Sequence, residues 1–294
     1  MIGTRGSSAT LVVAARLVLL SAVLLVWELL ARTNVLPRAF IGEPSAILAI
    51  LWQQLVSGAI PRGAAETLDA TLAAFAIGGV AALVTALPLT ASRFFRAVLE
   101  PFLNALNALP RVALVPLFIV WFGLGTLSKI VSGVSLMYFI LLYNTLAGAQ
   151  SVEPDHLLLA RSLGLSARRV FVQIILPTAM PAIFAGLRLG LIYSLLGVVT
   201  AELIAGGSGL GSQISYYSNT FNANGVFAIL LVLVVIADLL SRLMTSVEHR
   251  LTRWQAPRET PATRSIRTVR VRAVSAAKRA DTEYPPALKD NPPS

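Results

Sequence analysis

The sequence predicts an all-α polytopic membrane protein with six transmembrane helices, and three observations carry that prediction. Hydrophobic residues make up 56% of the chain and charged residues only 13%, against about a quarter charged in an average soluble protein. Mean hydropathy is +0.75. Apolar runs of about 20 residues, the length that crosses a bilayer, recur from end to end. The same composition excludes several classes of function. There is no Cys, hence no disulfide, thiolate metal site or Cys nucleophile, and two histidines, His156 and His249, cannot build a His-rich metal centre. The net charge of +10 is not a folded basic face: eleven of the 24 Lys and Arg lie from Arg242 onward, so nucleic acid is not an expected partner.

The first span is expected over 11–31, after a short N-terminus of residues 1–10, with Arg16 and Glu28 reaching toward opposite surfaces. A cleaved signal peptide is the rival reading, but no small-x-small cleavage site precedes Trp27 and more spans follow. Between Arg32 and Arg62, Ile47, Leu48, Leu51, Trp52 and Leu55 recur at helical spacing, which suggests a short interfacial helix. The second span, 67–91, carries Ala70, Ala74, Gly78, Ala82 and Ala86 four residues apart, a small-residue face for close helix approach within the subunit or at a dimer seam.

Glu100, Asn104, Asn107 and Arg111 then form a polar stripe on one helical face, interrupted by Pro101, Pro110 and Pro116. The third span, 104–125, is therefore expected to be kinked or to begin at the interface. Asn104 and Asn107 are candidates to line a polar pathway; the alternative is a stripe that faces lipid headgroups. A fourth span is expected at 130–149 and a fifth at 178–205. On the fifth, Ala182, Gly186, Gly190 and Ser194 repeat the small-residue ladder. Arg188, which would cost about 2.5–3.5 kcal/mol at mid-membrane, should snorkel or meet a carboxylate such as Glu100. Glu202 reads as an interfacial carboxylate. A sixth span over 224–245 precedes a Pro- and Arg-rich stretch, 255–294, that reads as a disordered cytoplasmic tail drawn to anionic lipid.

The segment 150–177 is the most structured polar connection. Pro154 suits the first position of a short helix and Gly164 its stop. His156, Leu159, Ala160 and Leu163 fall on one face with Arg161 beside them; Ser166 can cap a second helix bearing Arg168 and Arg169. Leu176-Pro177 is expected to break the chain before the fifth span. With both termini inside, seven basic residues outside the tail fall in cytoplasmic connections (Arg5, Arg16, Arg93, Arg96, Arg161, Arg168, Arg169) against four outside (Arg32, Arg38, Arg62, Lys129), and the tail adds eleven to the same side.

Ala160, Gly164, Ile174, Leu176 and Pro177 match the spacing of the cytoplasmic "EAA" loop of ABC-transporter permeases, although Leu158 and Leu159 stand where that motif has Glu and its first Ala. The run Pro110 to Gly125 (PRVALVPLFIVWFGLG) resembles a signature of permeases for nitrate, sulfonates and taurine. Asn144, Thr145 and Gly148 before the loop, and Ala201 to Leu203 and Gly209 to Gly211 after it, are similar to that family in order. The resemblance spans roughly Val26 to Trp254. It implies a type I importer permease fold in the inner membrane. It also implies that His156, Leu159, Ala160, Arg161, Leu163, Gly164, Leu176 and Pro177 couple to an ATPase subunit. It further implies a permease homodimer and an extracytoplasmic substrate-binding protein. No Lys is preceded by Gly, so a GxxxxGK[ST] phosphate loop is absent and ATP must be bound by the partner subunit, with no cofactor on this chain. A secondary transporter or channel is the alternative; it would be expected to carry mid-span carboxylates, and none is evident.

Overall fold

The computed structural model describes residues 5–33 and 38–251, with side chains except at 5–10, 38–39 and 161. The basic tail 255–294 and residues 1–4 lie outside the described residues. Five helices are long and apolar enough to cross a membrane, and a bent pair makes a sixth crossing if it is counted as one span. In chain order these are α1 (Arg5–Arg32), α4 (Ala59–Ala91), the pair α5 (Arg93–Ala108) and α6 (Val115–Phe122), α7 (Thr126–Gln150), α10 (Leu176–Ala205) and α12 (Ala223–Leu251). Short helices connect them: α2 (Arg38–Ile41), α3 (Pro44–Val56), α8 (Pro154–Ser162), α9 (Ala167–Val170) and α11 (Leu210–Asn219).

The core is the trio α4, α7 and α10, with the contact between α7 and α10 the most extensive in the fold. Both small-residue ladders serve it. Gly78, Ala82 and Ala86 bring α4 against Met137 and Leu141 of α7, and Ala74 packs on Gly133, so the second-span ladder packs within the subunit. Gly186 lies against Asn144, Gly190 against Met137, Ala182 against Gly148, and the Ser194 carbonyl against Gly133, so the fifth-span ladder packs α10 on α7. Close approach of this kind gains dispersion contact that a larger side chain would hold open.

Two glycines of this seam differ in what surrounds them. A Cβ at Gly197 would sit 2.7 Å from the Ser132 carbonyl oxygen and 2.8 Å from Gly133 Cα, both backbone; at Gly190 the nearest atom is the flexible Met137 Cε at 3.2 Å. Gly197→Ala is therefore expected to destabilise the purified protein by about 1–3 kcal/mol, the usual cost of overpacking, while Gly190→Ala stays close to wild type. Equal melting temperatures for the two variants would contradict this packing.

From Leu11 onward α1 exposes most of its apolar side chains, and the contacts described for it lie near its end. There the Trp27 ring meets Phe227 edge-on at 5.4 Å, and Glu28, besides pairing with Arg32, accepts from Ser45 N and Oγ at the start of α3. A carboxylate at a helix N-terminus satisfies otherwise orphan amides. The short helix expected between Arg32 and Arg62 is α3.

The third span is not one rod. Leu109 and Pro110 are extended and the axes of the two halves differ by 79°. Pro110 forces this, because a residue before proline is driven from helical geometry. The expected break at Leu176-Pro177, by contrast, does not occur. Helical backbone continues from Ala167 to Ala205 through a widened π turn, Phe171–Ile175. Pro177 follows closely on this π turn, which accommodates its missing N–H, and Thr178 Oγ1 donates to the Ile174 carbonyl at 2.7 Å.

Candidate functional site

The loop between α7 and α10 forms as its residues dictate. Pro154 opens α8, and Gly164 ends it with φ +70°, a left-handed conformation that favours glycine. Leu165 N donates back to the Ala160 carbonyl at 3.1 Å, the hydrogen bond that closes a helix after such a glycine. Ser166 occupies the N-cap position of α9, but its side chain makes no capping bond. His156, Leu159, Ala160 and Leu163 share one face and, with Gln173, Ile174 and Pro177, line a cavity of about 310 Å³ beneath α8. Only Ala160 is buried; its small side chain lets the helix lie close to the chain below, whereas Leu158, Leu159 and Leu163 are 66%, 58% and 69% exposed. Exposed leucines on a nine-residue polar helix have no partner within the described chain that would account for them. Leu176 is at the margin of exposure, and the Arg161 side chain lies outside the described set.

The polar stripe of α5 faces the aromatic side of α7. Tyr143 Oη donates to Asn104 Oδ1 at 2.6 Å. Arg111 donates through Nη2 to the carbonyl of Asn107 at 2.9 Å and to Asn107 Oδ1, and its guanidinium lies over the Phe139 ring at 4.4 Å. Glu100 lies 3.8 Å from Arg96. Phe139 is the fourteenth of the 25 residues of α7, so Arg111 sits at the level of that helix's midpoint.

At the end of α7 and α10 remote from the loop lies a group of residues that sequence reading did not assemble. Glu202 is completely buried, a correction to its reading as an interfacial carboxylate. Lys129, expected among the loop charges, is also buried and donates to Glu202 Oε1 at 3.2 Å and to the Ser208 carbonyl at 2.8 Å. Thr67 Oγ1 lies 2.9 Å from Glu202 Oε2 and accepts from Leu210 N; Gly211 N donates to the same carboxylate oxygen at 2.9 Å. A Cβ at Gly209, where φ is +99°, would collide with the Glu202 carboxylate. The pair thus joins α4, α7, α10 and α11 beside an open polar cleft of about 690 Å³ lined by Arg62, Glu66, Ser212, Gln213 and Tyr216. The available signal was two isolated opposite charges at the same end of adjacent spans. Arg188 does meet a carboxylate, as one of its two expected readings had it, but the carboxylate is Glu248 of α12, at 3.3 Å, and not Glu100, because the flanking Leu191 and Leu195 pack α10 against Leu240 of α12.

Helical spans around a tightly packed trio, a loop with exposed leucines at one end and a polar cleft at the other define a polytopic membrane fold. Residues 74–253 match the family of binding-protein-dependent transport system inner membrane components, and the chain belongs to that family. It is a multi-pass inner-membrane protein. It is 31% identical over 244 residues to the taurine transport system permease protein TauC of Escherichia coli, covering 80% of this chain and 87% of that one. It is 30% identical over 239 residues to the riboflavin transport system permease protein RibX of Chloroflexus aurantiacus, covering 81% and 89%. Among solved structures, a chain of the MetNI methionine ABC transporter in an inward-facing conformation superposes with a TM-score of 0.59 at 19% identity, covering 68% of this chain and 99% of that one. That likeness establishes the type I importer fold.

Proposed function

We propose that two copies of this chain form the membrane core of an ABC importer for a small molecule, of the taurine and sulfonate type, with ATP bound and hydrolysed by a separate subunit docked on 150–177. The observation that carries this reading is the loop itself. Its exposed Leu158, Leu159 and Leu163 are suspended between the ends of the two helices that pack most extensively, so a push on α8 is delivered to the centre of the fold. Both termini are cytoplasmic in this reading, in line with the charge count, and the polar cleft beside α11 faces an extracytoplasmic binding protein. Asn104 and Asn107 border the pathway at the break in the third span, since irregular backbone at membrane depth is tolerated where it is covered by protein or lines water. The protein has no cofactor of its own.

The test is reconstitution in proteoliposomes with an ATPase subunit and purified substrate-loaded binding proteins. One of these should raise ATP hydrolysis several-fold, and Leu159→Asp combined with Leu163→Asp should abolish the rise while leaving membrane insertion intact. Uptake without any ATPase subunit, or undiminished stimulation in the double variant, would overturn the proposal.

A further inference from the structure

Five cations of the membrane helices have a carboxylate close by: Arg32 with Glu28, Arg96 with Glu100, Lys129 with Glu202, Arg188 with Glu248 and Arg242 with Asp238. Arg111 has no ion-pair partner among the described residues. Arg16, Arg62, Arg93 and Arg250 have none either among those residues, but all four are exposed. Arg111 is half-buried, its Nε is buried without any hydrogen-bond partner, and it stands at the midpoint level of α7. A desolvated cation is ordinarily paired, and an intramembrane charge left without a fixed counter-charge marks a pathway.

The groups around it point to the sign of what arrives. Arg111 can only donate, so Asn107 Oδ1 is its acceptor and the Asn107 –NH2 remains unused. Asn104 Oδ1 is taken by the Tyr143 hydroxyl, which leaves a second –NH2. Phe139 holds the guanidinium by its ring face and offers no charge. The unused hydrogen-bonding capacity of this cluster is therefore dominated by donors around one positive charge. It lies beside the break at Leu109 and Pro110 between α5 and α6 and level with the middle of α7, and broken helices are where transporters place substrate sites.

We propose that Arg111, with the amide groups of Asn104 and Asn107, is a transient binding site for an anionic group on the transported molecule, a sulfonate or a similarly small oxyanion. This rests on the pathway reading above and narrows its substrate class: the site favours an acidic small molecule over a neutral or cationic one. Arg111 touches the anion, while Phe139 and Tyr143 position the donors.

The chain contains no Cys, so a single Asn104→Cys substitution supplies one thiol beside Arg111. In the assembled, reconstituted transporter, that thiol is to be titrated with the anionic sulfonatoethyl methanethiosulfonate and the cationic trimethylammonioethyl methanethiosulfonate, each rate normalised to the reagent's rate with 2-mercaptoethanol. The anionic reagent should be preferred, and Arg111→Gln should lower that preference about tenfold or more, as expected for one unit charge at short range in a medium less polar than water. Arg111→Lys should retain most of it. Ethanesulfonate should slow labelling while Arg111 is present and lose that effect in Arg111→Gln; choline should slow neither. If both reagents react at the substituted position 104 with equal normalised rates, or if Arg111→Gln changes nothing, the anion site is refuted while the pathway stands. If neither reagent reaches the thiol in any nucleotide state of the assembled transporter, the pathway reading is itself refuted and the anion site with it.

Discussion

Replacing Lys129 by Met is expected to destabilise the purified protein by about 3–5 kcal/mol, the cost of leaving one member of a buried ion pair without its partner. The Glu202 side chain is fully buried and that of Lys129 is 8% exposed, so water cannot replace the lost ammonium without opening the helix ends. Glu202→Gln should cost less than Lys129→Met, because the amide oxygen still accepts from Gly211 N while the ammonium keeps its bonds to the Ser208 carbonyl and Oγ. The double variant Lys129→Met/Glu202→Gln should recover part of the loss, since neither charge is then stranded. Denaturant titration of the four proteins gives the coupling energy directly, and a cycle in which the two costs simply add would show that the pair does not act as a pair.

Most of the fold was legible because membrane helices announce themselves by composition and length, and because small residues four apart lie on one face whatever the partner helix. Gly164 was legible for a local reason: a polar helix that begins at Pro154 needs a residue tolerant of positive φ where it stops, and that requirement is written within about a dozen residues. The buried pair was not legible in the same way. Lys129 and Glu202 are 73 residues apart and each sits at a span end, where a lone charge reads as interfacial. Only the packing of α7 on α10, fixed by glycines whose neighbours are set by tertiary structure, brings them together. Arg188 and Glu248, 60 residues apart, were missed for that reason too. The polar stripe shows an intermediate case. Its spacing placed Asn104, Asn107 and Arg111 on one face, and its prolines foretold a bend, but the meeting of Asn104 with Tyr143 across 39 residues depends on how far the chain turns at Pro110.

The pair also gives the proposed coupling a mechanical setting. α7 and α10 are joined at one end by the loop 150–177 and at the other by Lys129 and Glu202, which hold the α10–α11 turn and α11 through Ser208 and Gly211. Between these ends the seam is closed by backbone-level contacts at Gly133, Gly148 and Gly197, and by Asn144 against Gly186. Densely packed elements move together more readily than they deform. In the proposed coupling, a displacement of α8 is carried to the cleft beside α11 by a two-helix unit clamped at both ends.

Gly164→Pro is expected to leave the protein inserted and folded yet remove most of its binding-protein-stimulated ATP hydrolysis. Proline holds φ near −65°, and Gly164 requires +70°, so the variant cannot keep the turn that returns Leu165 N to the Ala160 carbonyl. The helix end must reopen, and α8 loses the angle at which it presents Leu159 and Leu163. No heavy atom lies within 4 Å of where a Cβ at Gly164 would stand, so the substitution disturbs direction rather than packing, and the α4–α7–α10 core should melt as in wild type. A loss of ~1.4 kcal/mol in docking energy already lowers affinity for the ATPase subunit tenfold. Gly164→Ala, which keeps its N–H and bears only the strain of a left-handed alanine, about 1 kcal/mol, should fall between the two. The measurement is ATP hydrolysis in the reconstituted complex with and without loaded binding protein, alongside thermal unfolding of each variant. Full stimulation in Gly164→Pro would show that the geometry of this turn is not what the ATPase grips; a matching collapse of thermal stability would show that the loop is part of the core after all.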